Sequence, residues 1–214
     1  MLLIKYLGGM NYLAHIYLSG EVEELKIGNF IADSVKGNKF QHFPKKIKDG
    51  IILHRALDTF TDKHPTVRKS THRLFPTYGH YSAVIVDILY DHFLAKNWED
   101  YSEIPLFDYT QNFYNLLQDN YEILPLRVQQ FLPYMLKDNW LYNYATLEGI
   151  GKILFQMDQR TKNRSKMKFA TKELKLHYSL FESEFTVFFN EIIHYSSEEI
   201  KKIVNPGEST RGTN

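Results

Sequence analysis

The chain contains no cysteine in its 214 residues. That absence removes disulfides, thiolate nucleophiles and Cys-type zinc sites together. It leaves His, Asp, Glu and Asn as the side chains able to hold a metal. Net charge is also lacking: 26 Lys and Arg against 25 Asp and Glu give a formal +1 at pH 7, so the overall balance does not call for nucleic acid. No apolar run approaches the roughly 20 residues needed to span a bilayer. Residues 1–7 are apolar, but no small-residue cleavage site follows them. The expectation is a cytoplasmic protein with no membrane or nucleic-acid partner. Met10 reads as an alternative start, with residues 1–9 a dispensable extension.

Several signatures of common enzymes are missing as well. There is no Gly-x-x-x-x-Gly-Lys-Ser/Thr loop, no His-Glu-x-x-His helix, no Gly-x-Ser-x-Gly elbow and no repeated Glu-x-x-His of a di-iron bundle. Sustained period-2 alternation and hairpin turns are absent too.

What is present is a soluble globular composition, with 43% hydrophobic and 24% charged residues, and 15 Phe and 15 Tyr to build the core from large rings. The length fits one domain with a sizeable core. Apolar periodicity predicts helices over residues 11–18, 21–35, 45–61, 65–73, 81–98, 106–120, 126–136, 141–156 and 168–193. Residues 37–44 and 76–79 read as a loop and a turn. Pro65 suits a first helical turn and Ser82 an N-cap, while the polar, basic stretch 160–168 reads as an exposed connection or a helix end. The fold class is therefore all-α, a single-domain helical bundle over residues 1–204, with a Gly/Ser/Thr-rich tail over 205–214.

Chemistry is concentrated in three pairs of polar residues spaced four apart in otherwise apolar helical patterns: Asn29/Asp33, His54/Asp58 and Asp87/Asp91. Residues i and i+4 share a helix face, so three such pairs on three helices can converge on one point. Each pair alone has a plainer reading. Asn29 could cap a helix, Asp33 could face solvent, and His54 with Asp58 could be a hydrogen-bonded structural pair. Asp87 is the most telling, because it interrupts Ala83-Val84-Ile85-Val86 and Ile88-Leu89-Tyr90, where a free carboxylate is costly. His92 adds an ionisable group to that helix, and His15, between Ala14 and Ile16, is a fourth contributor. Imidazoles with carboxylates form an N/O donor set suited to Mn²⁺, Mg²⁺ or Fe²⁺. A divalent ion there points to metal-assisted hydrolysis of a phosphate ester. Lys36, Lys39, Lys45, Lys46 and Lys48 lie between the first two pairs, and Lys63, Arg68, Lys69 and Arg73 follow the second. They form either a basic rim that steers an anionic partner or an ordinary solvated surface.

Four blocks, Asn11-Tyr12-Leu13-Ala14-His15, Gly28 through Gly37, Gly50 through Asp58 and Asp87 through Leu94, closely resemble the acyl carrier protein phosphodiesterase family in order and spacing. The resemblance extends through about Tyr195 and is weaker in the C-terminal half. It implies hydrolysis of the phosphodiester joining 4′-phosphopantetheine to a serine of holo-acyl carrier protein, Mn²⁺ dependence, and a distant relation to the all-helical HD phosphohydrolases. The chain carries no His-Asp dipeptide of the kind those enzymes use; its nearest is the reversed Asp91-His92. The metal shell is therefore assigned from the helical spacing: Asp33, His54, Asp58, Asp87 and Asp91, with His15 and His92 as supporting or alternative ligands. Asp58 is the expected base for the attacking water. Arg55 is expected to hold the phosphodiester or pair with a carboxylate, and Asn29 to contact the phosphate or hold a ligand. Carrier proteins are acidic around their modified serine, so Lys36, Lys39, Lys45, Lys46, Lys63, Arg68, Lys69 and Arg73 would face the partner. Two rivals remain, an HD-like phosphohydrolase of a small phosphorylated metabolite or nucleotide, and a non-catalytic carrier-protein-binding module.

Overall fold

A computed structural model describes residues 11–204, and those residues are helical throughout, with no strand among them. The helices are α1 (Tyr12–Tyr17), α2 (Glu23–Ile31), α3 (Lys45–Lys63), α4 (Pro65–Tyr78), α5 (Ser82–Lys96) and α6 (Leu106–Asp119) in the first half. The second half holds α7 (Leu126–Lys137), α8 (Trp140–Asn143), α9 (Leu147–Arg160), α10 (Ala170–Leu176) and α11 (Tyr178–Val204). No helix among the described residues is long and apolar enough to cross a membrane. The alternative start at Met10 and the tail over 205–214 lie outside the described residues.

The architecture follows from where the apolar residues sit. Helix α5 is apolar around nearly its whole circumference, with Ile85, Val86, Ile88, Leu89, Phe93 and Leu94 fully enclosed, and it is the central helix. Helix α11 lays Phe181, Phe185 and Phe189 against it at four-residue spacing, and the Phe185 and Phe189 rings stack 5.0 Å apart. One continuous hydrophobic core runs from Tyr12 to Ile192.

Helices α2 and α3 meet backbone to backbone. A Cβ on Gly28 would overlap the carbonyl oxygen of Ile47, and a Cβ on Gly50 would overlap that of Leu25. Only glycine at both positions permits this approach. It places Asn29, the neighbour of Gly28, against His54, one turn beyond Gly50.

Several expected boundaries move. Helix α4 continues through Pro76 to Tyr78 and stops at Gly79, whose φ of +55° ends it. So late in a helix a proline removes a single backbone bond, and the expected turn over 76–79 is not one. The 37–44 loop contains a 3₁₀ segment, Gly37–His42. Ser82 is the first residue of α5 and donates to the Gly79 carbonyl at 2.6 Å. The helix expected over 141–156 is split, because Thr146 starts a new one by accepting the Gly149 N–H at 3.0 Å. The one expected over 168–193 is split at His177. Within the basic stretch 160–168, Ser165 and Met167 are buried, and the Ser165 hydroxyl donates to the enclosed carboxylate of Asp158 at 2.7 Å.

Arg73, a sequence candidate for partner binding, is engaged within the fold. Its guanidinium grips Glu184 of α11 with two bonds of 2.7 Å and stacks over Phe181 at 4.8 Å. Ser70 donates to the same carboxylate at 2.6 Å and accepts from the Tyr90 hydroxyl at 2.8 Å. Burial would raise the Glu184 carboxyl, but the Arg73 fork and the Ser70 hydroxyl outweigh it and hold it below the ordinary range. Replacing Arg73 with Ala leaves that carboxylate buried, with Ser70 and a Lys69 ammonium 3.6 Å away. The expected loss in urea unfolding is about 3 kcal/mol at neutral pH. A depressed folded pKa stabilises above the unfolded value of 4.5 and ceases to as pH falls through the folded one. The gap between wild type and variant should therefore shrink in acid. A loss below about 1 kcal/mol, the level of an exposed pair, would contradict this role.

Candidate metal centre

Two imidazoles from different helices stack face to face beside one carboxylate. The His15 ring on α1 and the His54 ring on α3 lie 4.1 Å apart at 25°, both buried. Asp58, one turn beyond His54, spans them: Oδ1 is 3.3 Å from His15 Nε2 and Oδ2 is 3.2 Å from His54 Nε2. Asp33, in the 3₁₀ turn after α2, brings Oδ1 to 3.5 Å from the same His54 nitrogen. The ligand atoms of His15, His54 and Asp58 all lie within 4.8 Å of one another. Donors around one ion with bonds of about 2.1 Å are at most about 4.2 Å apart, so small rotations of these side chains would close the set.

Asn29 sets the chemistry of the His54 ring. Fully enclosed, it donates from Nδ2 to the His15 carbonyl and to the Ser19 hydroxyl, both at 2.9 Å. Its Oδ1 must therefore accept, and it faces His54 Nδ1 at 3.0 Å. That bond places a hydrogen on Nδ1 and leaves Nε2 facing the carboxylates, so that loss of the Nε2 proton would give the tautomer a metal ligand needs. Ser19 completes the loop by donating to the His15 carbonyl at 2.8 Å.

Three ring nitrogens here, both of His15 and Nε2 of His54, are buried without an aligned hydrogen-bond partner. Buried polar atoms are rarely left so. A divalent cation fits the observation, since it would use the Nε2 atoms and the carboxylate together. The donor set of two imidazoles and carboxylate oxygens suits a transition-type divalent ion.

Charge is coupled across the group. Burial alone would lower His54, yet hydrogen bonding to Asp33 and Asp58 outweighs it and raises the imidazole to about 9. His15 is lowered, first by burial and then by the neighbouring His54 charge. Asp58 is held well below the carboxylate range, because the two imidazoles overcome its partial burial. Asp87 is raised to about 8 by burial, and further by Asp58, Asp62 and Asp33.

The remaining sequence-derived candidates separate into distinct places. Asp87 lines a void of about 20 Å³ beside His15 and opens on its other side into a surface cleft. It lies outside the tight group of three. Asp91 is not placed as a ligand: its oxygens accept the Leu13 and Ala14 N–H groups at 3.0 and 2.9 Å. It caps α1 from 78 residues away, where the local N-cap, Asn11, makes no side-chain bond. His92 turns elsewhere, donating from Nδ1 to the Tyr144 carbonyl at 2.7 Å and accepting the Tyr178 hydroxyl at 2.9 Å. Arg55 donates to the Gly37 carbonyl at 2.8 Å and stacks over Phe40 at 4.7 Å, and among the described residues it pairs with no carboxylate. Asn29 is fully buried and bonded to His54. Of the basic residues, Lys45 pairs with Asp49 at 3.2 Å and Lys46 with Glu24 at 3.4 Å. Lys36, Lys39, Lys63, Arg68 and Lys69 are exposed. The sequence reading kept His15 at the periphery and overlooked Ser19; the apolar flanks of His15 were the one signal of its burial.

A sequence model of the family described as acyl carrier protein phosphodiesterase matches residues 10–192. Among similar proteins, the acyl carrier protein phosphodiesterase of Yersinia pestis is 30% identical over 181 residues, 84% of this chain and 94% of that protein. The enzyme of the same name from Enterobacter sp. (strain 638) is 29% identical over the same shares. That of Escherichia coli O6:H1 is 28% identical over 195 residues, 89% of this chain and 99% of the relative. No solved structure matches the chain.

A protonated His54 must lose its proton to bind a cation. Because its metal-free value is raised to about 9, divalent-ion affinity should strengthen as pH rises towards 9 and then level off. The expected slope is about tenfold per pH unit, with one proton released per ion. Titration calorimetry in buffers of different ionisation enthalpy reads both. A flat profile with no proton release would remove His54 from the ligand set.

Proposed function

The chain belongs to the acyl carrier protein phosphodiesterase family, and from that premise we propose that it hydrolyses the phosphodiester between 4′-phosphopantetheine and a serine of holo-acyl carrier protein. The products are apo-acyl carrier protein and free 4′-phosphopantetheine. The observation that carries the proposal is the convergence of His15, His54 and Asp58 with their inward ring nitrogens unsatisfied.

His15 Nε2, His54 Nε2 and the Asp58 carboxylate would hold a divalent ion, Mn²⁺ or another such as Mg²⁺ or Fe²⁺, with Asp33 beside His54. When bound, such an ion neutralises charge on a phosphoryl oxygen and acidifies water. The protein supplies the rest. Asn29 keeps the His54 lone pair directed into the site, and Asp91 holds α1 so that His15 lies against it. Asp58, kept ionised by both imidazoles, is a poor proton acceptor, so its role is to hold charge. Asp87 is better suited to proton transfer: burial and the neighbouring carboxylates raise its carboxyl to about 8, and no hydrogen bond or ion pair among the described residues engages it. In the overall reaction a water oxygen bonds to phosphorus, the bond from phosphorus to the serine oxygen breaks, and the serine oxygen takes a proton.

The partner is read from charge. Lys36 and Lys39 before α3, and Lys63, Arg68 and Lys69 after it, flank the site from both ends of the helix that carries His54 and Asp58. Such a rim would draw in an acidic carrier protein, and more weakly at high salt.

The test is intact-mass spectrometry of holo-acyl carrier protein incubated with the enzyme in Mn²⁺ or in EDTA. The expected result is loss of the 4′-phosphopantetheine mass in Mn²⁺ alone. No mass change with metal bound would shift the assignment to a small-molecule phosphohydrolase. Carrier-protein binding without any metal binding would favour the non-catalytic module. Asp87→Asn should lower kcat by about 10²-fold or more while leaving metal affinity near wild type. Full metal-dependent turnover in that variant would remove Asp87 from the mechanism.

A further inference from the structure

The richest basic run of the chain lies in the connection from α9 to α10. Between residues 160 and 175 stand seven Lys and Arg against one acidic residue, Glu173. That carboxylate is occupied, since the Tyr78 hydroxyl donates to it at 2.7 Å. Arg160, Lys162, Arg164, Lys166, Lys172 and Lys175 are exposed, and among the described residues no carboxylate pairs with any of them.

These charges stand on an ordered loop wrapped around a buried carboxylate. Asp158 is fully enclosed and accepts the Ser165 hydroxyl at 2.7 Å. Its backbone carbonyl accepts the Thr161 hydroxyl and the Asn163 N–H, both at 2.8 Å. Lys168 brings its ammonium to 3.4 Å from the second Asp158 oxygen. Thr161, Ser165 and Met167 are thereby turned inward, and Lys162, Arg164 and Lys166 outward. The path needs a left-handed backbone at Lys162, Asn163 and Lys166, with φ of 57°, 59° and 59°. Residues with a side chain seldom adopt it, and it persists where surrounding contacts over-determine it. The connection also borders the metal centre. Helix α9 packs on α5, and the Tyr78 bond to Glu173 fastens α10 to the end of α4, beside the Gly79 turn that leads into α5. Arg160 and Asp33 act with opposite sign on the Tyr12 hydroxyl, three residues before His15, and Asp33 faces His54 at 3.5 Å. Arg160 thus stands at the edge of the site, and the outward charges of the loop continue from it.

We propose that the α9–α10 connection is a docking face for the acidic surface of the carrier-protein substrate, beside the metal centre that receives its phosphodiester. The inference rests on the phosphodiesterase reading above and goes beyond it by naming a second basic face, separate from the two ends of α3. Charge complementarity carries it. An acidic macromolecule meets six exposed cations there with no carboxylate of this chain competing for them. A loop already pinned from inside has little freedom left to lose on binding. Phe169 and Leu176, 45% and 76% exposed, add apolar contact area among the charges.

Charge reversal on the outward residues tests it. The loop variant carries Lys162→Glu, Arg164→Glu and Lys166→Glu, which leave the contacts around Asp158 in place. A control of equal net charge carries Lys152→Glu, Lys201→Glu and Lys202→Glu, on α9 and α11 outside the connection. Both are compared with wild type for kcat/KM on holo-acyl carrier protein at low and high salt, and for Mn²⁺-dependent hydrolysis of bis(p-nitrophenyl) phosphate, which needs no docking. The loop variant should lose about tenfold or more in kcat/KM on the carrier protein at low salt, through KM, with a shallower salt dependence. It should cleave the small ester as wild type does, and the control should match wild type on both substrates. The same three loop positions changed to Gln carry the test if the Glu variant does not fold. Equal carrier-protein turnover by wild type and loop variant, or an equal loss in the control, would overturn the docking face while the phosphodiesterase reading stands. Binding of single-stranded RNA or of phosphatidylglycerol vesicles that the loop variant loses, with carrier-protein turnover kept, would overturn it in favour of that polyanion. Wild type that cleaves the small ester and never the carrier protein would overturn both.

Discussion

The side-chain amide of Asn29 joins the two histidines of the site, giving its N–H groups to the His15 carbonyl and the Ser19 hydroxyl and its oxygen to His54 Nδ1. Its orientation is set by the His15 carbonyl, because exchanging its nitrogen and oxygen would turn one acceptor against another there. That network exists only because α2 and α3 touch at Gly28 and Gly50, where a single methyl group would meet a carbonyl oxygen. The close helix crossing is thus a condition of the site. Larger residues at those glycines would add apolar area and push Asn29 away from His54.

The centre is assembled against its own electrostatics. Burial works against an ionised Asp58 and a protonated His54; His15 and His54 keep Asp58 ionised, and Asp33 and Asp58 keep His54 protonated. His15 cannot share that charge from 4.1 Å away and stays neutral. A group with ring nitrogens left unsatisfied is a poor stabiliser of the fold, and its donors are placed so that they could hold a cation. Stability comes from elsewhere, in the aromatic seam of α11 against α5 and the buried fork of Arg73 on Glu184. Separating the two tasks lets the reactive end stay polar and under-bonded while the opposite face of α4 is locked to α11.

Helix α5 shows how neighbouring residues are assigned different work by what lies opposite them. Asp87 opens to the void and the cleft, Asp91 receives the first turn of α1, and His92 spans to α8 and α11. Asp87 and Asp91 share a helix face, so their spacing alone treats them as equivalent. They differ because one meets two backbone N–H groups and the other meets open space. Two backbone N–H groups fix the orientation of the Asp91 carboxylate, one on each oxygen, whereas a carboxyl group with no such partner can take and return a proton.

The all-helical character, the Pro65 start of α4, the aromatic core and the His54/Asp58 pair were legible in the sequence, because each is set by periodicity or by residues within one turn of one another. So was the peculiarity of Asp87, since a carboxylate inside an apolar run needs a reason in any fold. The central place of His15, the capping role of Asp91, the diversion of Arg73 to Glu184 and of Arg55 to Gly37, and the cleft that Asp87 shares with α4 were not. Each depends on contacts between residues far apart in the chain, and a one-dimensional pattern carries no information about which face of one helix meets which end of another. The sequence by itself determined which helices would carry the candidate residues. Tertiary structure decided which of those residues meet, because the direct backbone contact of α2 with α3 and the capping of α1 from α5 set the distances between them.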